Sequence, residues 1–349
     1  MREGKSKAYF YRMNEQTHAS LKSLNTFGFD VACDTLLSVQ SIAELQAFFK
    51  NGNPAEPLLI LGGGSNMLLT GHYRGTVLKV DILGRSVLRE DEKHVWVASG
   101  AGENWHHWVQ WTLENNWGGL ENLSLIPGNV GAAPMQNIGA YGIEVKEHFD
   151  HLLAVSRVDG SLRKFTREEC AFGYRESVFK RALRDQYVIA EICFQLDKEH
   201  TLHTGYGAIQ DELKKMGVDT PTIQEVSRAV IAIRQSKLPD PKEIGNSGSF
   251  FKNPVVSTAH YEKLKAQYPE LVAYPSGEGM KLAAGWLIEK AGWKGFRRGD
   301  AGVHARQALV LVNYGNAKGE EILALSKEII GDIEEKFGVA LEAEVNIIS

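Results

Sequence analysis

Residues 118–142, GGLENLSLIPGNVGAAPMQNIGAYG, hold six glycines and a single charged side chain, Glu121. Neither a helical nor a strand period runs through them. Glycine tolerates positive φ and lets a ligand approach the backbone, so glycines clustered this way suit a loop that wraps something. Exposed N–H groups in such turns form concavities that fit anions, diphosphates among them. Leu123, Leu125, Ile126, Val130, Met135 and Ile138 make the stretch too apolar for a plain connector, and long ordered loops in compact domains are usually functional. It reads as a dinucleotide cradle.

The length of 349 residues exceeds one ordinary core and implies two or three domains. With 43% hydrophobic and 23% charged residues and no apolar run of membrane-spanning length, the chain reads as soluble and globular. Its first residues lack the apolar core of a secretion signal. Cys33, Cys170 and Cys193 are far apart and odd in number, which points to reduced thiols in the cytoplasm and to no metal centre. A net charge of −4 without a basic block argues against nucleic acid.

The first twenty residues are polar and are placed on the surface. Ser41 and Glu44 form a capping box ahead of Leu45, Phe48 and Phe49, and Gly52 stops that helix. Pro57 and residues 58–61 read as a buried strand running into Gly62, Gly63, Gly64, Ser65 and Asn66. That run suits a diphosphate, yet it is neither a P-loop nor GxGxxG. Residues 95–99 form a strand, and a helix bearing Trp105, Trp108 and Trp111 follows. His106 and His107 are neighbours on that helix, face different ways and read as packing or surface residues. Val158-Asp159-Gly160 marks a hairpin, and residues 187–196 alternate as a half-buried strand. Thr222 and Glu225 cap a helix carrying Val226, Val230 and Ile233 on one face. Pro239 and Pro241 then break the chain at a domain boundary. Residues 282–291 read as a helix and 308–312 as a strand. Residues 320–336 form an amphipathic helix with Ile322, Leu325, Ile329 and Ile333 on one stripe. The chain closes in a short strand holding Glu342 and Glu344.

Chemistry-bearing groups stand at Tyr174-Arg175, Lys237, Ser249 and Glu344. Ser247 and Ser249 lie in GNSGSFFKNP, residues 245–254. A nucleophilic serine normally takes a histidine base and an elbow such as GxSxG, which this run does not match, although His304 stays open as a base. A polarised serine can instead give its proton to a carbanion-like carbon. Taken alone, the segment is a turn whose serines cap backbone groups. Strand alternation sets Glu342 and Glu344 on one face, opposite Val345 and Ile347. Arg175, Lys237 and Lys252 are exposed charges by default. The residues themselves thus lead to a dinucleotide-binding enzyme or binder with a basic, serine-bearing second site.

Together these motifs resemble one family. Asn25-Thr26-Phe27-Gly28, LGGGSN at 61–66, GAGENW at 100–105, IPGNVGAAPMQNIGAYG at 126–142, GYRESVFK at 173–180, SKLPDPK at 236–242, GNSGSFFKNP and LEAEV at 341–345 follow the order seen in the UDP-N-acetylenolpyruvoylglucosamine reductases. These are flavoenzymes of bacterial peptidoglycan synthesis, and so of cell-wall biogenesis, cell shape and division. The resemblance runs from about residue 24 to the end, and the long loop, YRES and GNSGSFFKNP are its specific parts. It implies an α+β chain with an FAD-binding fold of the vanillyl-alcohol-oxidase type in two subdomains. These are residues 1–82, joined by the C-terminal strand 339–349, and residues 83–238. A substrate-binding α+β domain, 239–338, completes it.

The same resemblance implies noncovalent FAD and NADPH as co-substrate. UDP-N-acetylglucosamine enolpyruvate would be reduced to UDP-N-acetylmuramate in a cytoplasmic monomer with no membrane or nucleic-acid partner. Ser249 matches the family's proton donor; Arg175 and Glu344 match groups beside the substrate carboxylate. Tyr141, Tyr174, Lys237, Asn253 and Gln307 match substrate-side positions. Tyr206, in TGYG, matches the mobile-loop tyrosine of one of the family's two classes. Gly62, Gly63, Gly64, Ser65 and Asn66 would cradle FAD with Gly128, Asn129, Val130, Gly131, Ala132, Gln136, Asn137 and Ile138. One departure is Ser247, where the family often has alanine, and it sets a second hydroxyl near Ser249. Two rival readings are an FAD oxidase of the same fold, reoxidised by oxygen, and a flavin-binding module without catalysis. The oxidase leaves Ser249, Lys237 and Tyr206 without roles, and the module needs no proton donor.

Overall fold

A computed structural model describes residues 14–51 and 56–349; Gly52, the expected helix stop, lies outside them. A four-stranded sheet is ordered Asn14–Ser20, Ala32–Val39, Tyr73–Val80, Leu58–Leu61. Its last three strands are parallel, and helix α1 (Ile42–Asn51) supplies the crossover that parallel neighbours require. Half of the expected capping box forms: Glu44 N–H donates to Ser41 Oγ at 3.2 Å, while the Glu44 carboxylate reaches one residue further back and accepts the Gln40 N–H at 2.7 Å. Residues 14–20 are on the surface as expected, but as an antiparallel edge strand. Only Ala19 among them is buried, so no apolar alternation revealed the strand.

A second sheet, entirely antiparallel, is ordered Leu162–Thr166, Phe149–Ser156, Tyr187–Asp197, His94–Gly100, Arg85–Glu90. The hairpin at Val158-Asp159-Gly160 joins the first two. Tyr187–Asp197 is its central strand, and Val188, Ile189, Ala190, Ile192, Cys193, Phe194 and Leu196 are all buried. The expected half-buried alternation gives way because both faces of this strand are covered. Helix α2 (Trp105–Glu114) starts at Asn104, whose side chain accepts the His107 N–H at 3.0 Å. It drives Trp105 and Trp108 into the core against Phe194. Helices α3 (Gly207–Lys215) and α4 (Ile223–Lys237) share a smaller core of Ile209, Leu213, Val226, Val230 and Ile233. Thr222 and Glu225 cap α4 reciprocally.

Beyond Pro239 come a four-stranded and a three-stranded antiparallel sheet with helices α5 (Thr258–Gln267), α6 (Ala284–Lys290) and α7 (Gly319–Phe337). The α7 stripe Ile322, Leu325, Ile329 and Ile333 is buried as its spacing predicts. Each side chain contributes roughly 1.5–3 kcal/mol. The expected strand at 308–312 is Leu311–Asn313, because residues 304–310 turn back on themselves: His304 N–H donates to Val310 O. The expected helix at 282–291 is the shorter α6, since Leu282 still belongs to the strand Gly279–Leu282.

The chain end ties these parts together. Ala343 bridges to Phe251, and Asn346–Ile348 then runs parallel to Met67–Leu69. The terminal strand therefore starts after Glu344 rather than containing it. Val345 is buried and Ile347 exposed, so the two do not share one environment although alternation sets them on one face. Residues 25–28 close the same junction: Thr26 N–H donates to Gly64 O at 3.1 Å, and Asn246 N–H donates to Thr26 O at 3.0 Å.

Candidate active site

The two glycine runs face each other. A Cβ on Gly63 would lie 2.8 Å from Asn129 Oδ1 and from Gly128 Cα, and one on Gly128 would lie 2.7 Å from Ser65 Oγ. Gly64 and Gly128 also hold left-handed φ of 63° and 110°, which side chains resist. Val130 N–H and Gly131 N–H are tied to Glu103 O and Ala101 O, which anchors the second run on the residues before α2. The N–H groups of residues 62–66, 128 and 129 donate to no protein acceptor among the described residues. Opposed backbone runs with free N–H donors fit a diphosphate. In between, the long loop takes short 3₁₀ turns, Glu121–Leu123, Val130–Ala132 and Pro134–Gln136. Asn137 then turns left-handed and its side chain donates to Glu144 and to Gly173 O.

Glu344 sits where the chain end crosses Phe250 and Asn66. Its N–H donates to Phe250 O at 2.8 Å, and its carbonyl accepts from Asn66 Nδ2 at 3.4 Å. Arg175 Nε stands 3.4 Å from Glu344 Oε1, and its Nη2 donates to Gly139 O at 3.0 Å. Gln136 Nε2 donates to the same Oε1 at 3.5 Å and accepts from Asn66 Nδ2 at 3.2 Å. Burial pushes the Glu344 carboxyl above the usual carboxylate range, while Arg175, Lys180 and Lys252 pull it back. Glu342, two residues away, is exposed and pairs with Lys252 at 3.2 Å. The two glutamates thus part company: the single bridge at Ala343 turns one into solvent and one inward.

The two serines part as well. Ser247 is buried and its hydroxyl donates to Met67 O at 3.2 Å. Ser249, half-buried beside Phe250, has a hydroxyl without a protein partner among the described residues. The Tyr174 ring centroid stands 4.4 Å from Lys281 Nζ, and burial raises the Tyr174 pKa. Asn253 Oδ1 accepts the first N–H of α6, Ala284 N–H, at 3.0 Å. Gln307 lies against Gly285 in that helix. Tyr206, half-exposed at the start of α3, stacks edge-on to Tyr141 with ring centroids 5.5 Å apart. Arg234, one turn before the exposed Lys237 on α4, donates through Nε to Leu125 O at 3.2 Å, and its charge opposes the rise that burial gives the Tyr141 pKa. The expected residues therefore fall in two neighbourhoods: Arg175 with Glu344 and Tyr174, where the chain end crosses Phe250 between Ser249 and Asn253, and Tyr141 with Tyr206, with Lys237 exposed further along α4. Gln307 is joined to the first through α6.

Arg234 and Lys180 were missed. Arg234 lies on α4 off the apolar stripe that defines the helix, and Lys180 closes GYRESVFK with no spacing that marks it as buried. Burial lowers the Lys180 pKa, with Lys252 adding to the effect. His106, read as a packing residue, accepts the Leu125 N–H through Nδ1. Asp150, His151 and Cys193 bring possible ligand atoms within 4.8 Å. The Asp150 oxygens, however, are already bonded to Trp96 Nε1 and His151 Nδ1.

A family model described as "FAD binding domain" matches residues 34–165, and one described as "UDP-N-acetylenolpyruvoylglucosamine reductase, C-terminal domain" matches residues 240–348. The chain is 52% identical over 338 residues to the UDP-N-acetylenolpyruvoylglucosamine reductase of Flavobacterium johnsoniae, covering 96% of this chain and 100% of that one. It is 49% identical over 334 residues to the Pseudomonas aeruginosa reductase, covering 95% and 98%. The crystal structure of the Thermus caldophilus reductase superposes with a TM-score of 0.65 at 24% identity, covering 97% and 99%, and bears on the fold alone.

Proposed function

Since this chain belongs to the UDP-N-acetylenolpyruvoylglucosamine reductase family of FAD-binding oxidoreductases, we propose that it reduces UDP-N-acetylglucosamine enolpyruvate to UDP-N-acetylmuramate at the expense of NADPH. The observation that carries the proposal is the pairing of Arg175 with Glu344 where the chain end crosses Phe250, the residue next to Ser249. FAD, when bound between the glycine runs, supplies hydride transfer from NADPH to the enolpyruvyl carbon. Residues 62–66, 128 and 129 would hold its diphosphate through backbone N–H groups; Val130, Gly131, Ala132, Gln136, Asn137 and Ile138 would shape the loop behind them.

The remaining steps belong to side chains. Hydride addition leaves an enolate whose charge gathers on the substrate carboxylate. Arg175 and a protonated Glu344 stabilise that charge, and a carboxyl held above its usual range by burial is suited to donate a hydrogen bond. Ser249 delivers the proton to the adjacent carbon, since Ser247 is occupied with Met67 O. Tyr141, Tyr174, Tyr206, Lys237, Asn253 and Gln307 take the UDP-sugar. We extend the reading to a cytoplasmic monomer. The domain limits 1–82 with 339–349, 83–238 and 239–338 draw support from the separate sheets and from the pairing of Asn346–Ile348 with Met67–Leu69. Among the described residues no helix is long and apolar enough to cross a membrane.

The test is anaerobic: reduce the flavin with one equivalent of NADPH, add the enolpyruvyl sugar and follow the flavin spectrum. Reoxidation with lactyl ether formed supports the reading. A flavin that stays reduced until air enters overturns it in favour of an oxidase. Ser249→Ala is expected to keep NADPH-driven reduction and to lose on the order of 10³-fold in the second half-reaction. Full turnover by that variant would remove Ser249 as the proton donor.

A further inference from the structure

Glu344 has partners at every polar atom but one. Its N–H is held by Phe250 O, its carbonyl by Asn66 Nδ2, and its Oε1 faces both Gln136 Nε2 and Arg175 Nε. Oε2 has no hydrogen-bond partner among the described residues. Gln136 is itself oriented, because Asn66 Nδ2 donates to its carbonyl oxygen at 3.2 Å and so turns its amide nitrogen toward Glu344. Arg175 is restrained from the other side by Gly139 O and by a left-handed backbone, φ 54°, that a non-glycine residue adopts only under constraint.

Oε1 accepts the Gln136 N–H and is the carboxyl oxygen ion-paired with the Arg175 guanidinium, whose Nε lies 3.4 Å away without a hydrogen bond, so a proton on Oε1 would oppose both a donor hydrogen and a cation, and Oε2 is the oxygen left for it. We propose that Gln136, oriented by Asn66, is a positioning residue that together with Arg175 commits Oε1 of Glu344 as an acceptor and so places the carboxyl proton on Oε2. The proposal rests on the reading of Glu344 given above and adds what makes its O–H point one way. A neutral carboxyl can otherwise carry its proton on either oxygen, and a fixed donor avoids that reorganisation during turnover. It also gives Asn66 and Gln136 a task beyond the flavin: they join the glycine run at 62–66 to the acid in a single chain of hydrogen bonds.

The titratable and charged groups facing Glu344 are Arg175, Tyr174 and Lys180 from residues 173–180, and Lys252 from residues 245–254. Gln136→Leu leaves all of them in place and removes one donor. The measurement is an infrared difference titration of the oxidised holoenzyme, with the Glu344 band assigned by its loss in Glu344→Gln. Gln136→Leu is expected to raise the Glu344 titration by about one pH unit, because the lost N–H favours the charged form more than the neutral one. Gln136→Glu, similar in size, is expected to raise it further by setting two carboxyls on one proton. It also serves if the leucine variant fails to fold. In stopped flow, reoxidation by the enolpyruvyl sugar is expected to slow about tenfold or more in Gln136→Leu. Because Gln136 also lines the flavin cradle, both half-reactions are read per bound flavin, and reoxidation is expected to slow more than reduction by NADPH.

A Glu344 titration unchanged in both variants overturns the proposal. So does a leucine variant that only loses FAD while Glu344 titrates normally in the flavin-retaining fraction, since Gln136 would then be a flavin ligand alone. If wild-type reduced enzyme is not reoxidised by the sugar, the functional reading falls, and the infrared titration still decides the role of Gln136.

Discussion

The glycine cradle and the Glu344 junction solve opposite problems. The cradle works by what its glycines lack: at Gly63 and Gly128 the absence of a side chain lets two backbones approach each other, and the N–H groups of residues 62–66, 128 and 129 have no protein acceptor among the described residues. The junction works by side chains brought from residues 66, 136, 175, 249 and 344, each fixed by backbone contacts made elsewhere. A backbone site is intolerant of any added atom. A side-chain site tolerates changes of shape and fails when a single donor or acceptor is removed. Changes in the cradle should therefore be felt as lost stability and lost flavin, and changes at the junction as lost chemistry with the flavin still bound.

The largest effect is expected at Gly64. Alanine there would place Cβ 1.9 Å from Leu24 O at a left-handed φ of 63°, and both neighbours are backbone. Gly64→Ala is expected to cost about 4 kcal/mol or more and to strip the flavin, read by urea unfolding and by flavin absorbance. Gly142→Ala, with φ 87° but open space around it, should cost only about 1 kcal/mol. Equal losses in the two variants would break the claim that close approach defines the cradle.

Next in size is Glu344. Its carboxyl is raised by burial, so the neutral acid survives to a higher pH than a free glutamate allows. The second half-reaction should hold level at low pH and fall as pH rises through that raised pKa. Glu344→Gln is expected to lose on the order of 10³-fold in reoxidation by the enolpyruvyl sugar and to abolish that pH limb, with flavin content unchanged. A limb that persists in the glutamine variant assigns it to another group. Smaller still, Ser247→Ala loses one buried hydrogen bond to Met67 O, about 1 kcal/mol, and should keep turnover. Loss of turnover there would reopen the choice between the two serines.

How far the sequence could be read follows the same division. The cradle was legible because its function is written in glycines, and α7 was legible because its stripe has one period. The junction residues were singled out only through resemblance; the separations between residues 66, 136, 175 and 344 contain no local signal that they meet. Alternation failed for Glu342 and Glu344 because only Ala343 pairs there, and a one-residue bridge imposes no strand period. The edge strand Asn14–Ser20 escaped because its polar side chains leave the pairing to the backbone alone. Gln136 and Asn66 were assigned to the flavin from their place among glycines, and their second partner, Glu344, is 208 and 278 residues away.

The smallest effect is the sharpest check on whether burial, rather than residue type, separates the two glutamates. Glu342 carries the same carboxyl as Glu344 two positions earlier, but its side chain is 75% exposed and its one ion pair, with Lys252, lies at the surface. Exposed pairs of this kind contribute at most about 0.5–1 kcal/mol and weaken with salt. Glu342→Ala should therefore shift unfolding by less than about 0.5 kcal/mol and leave both half-reactions within about twofold. It also frees Lys252, one of the cations that oppose the raised Glu344 pKa, so the alkaline limb should move slightly down at low salt. A loss of turnover comparable to that of Glu344→Gln would mean that the chemistry follows the acidic pair as a unit, and the contrast drawn between the exposed and the buried carboxyl would fail.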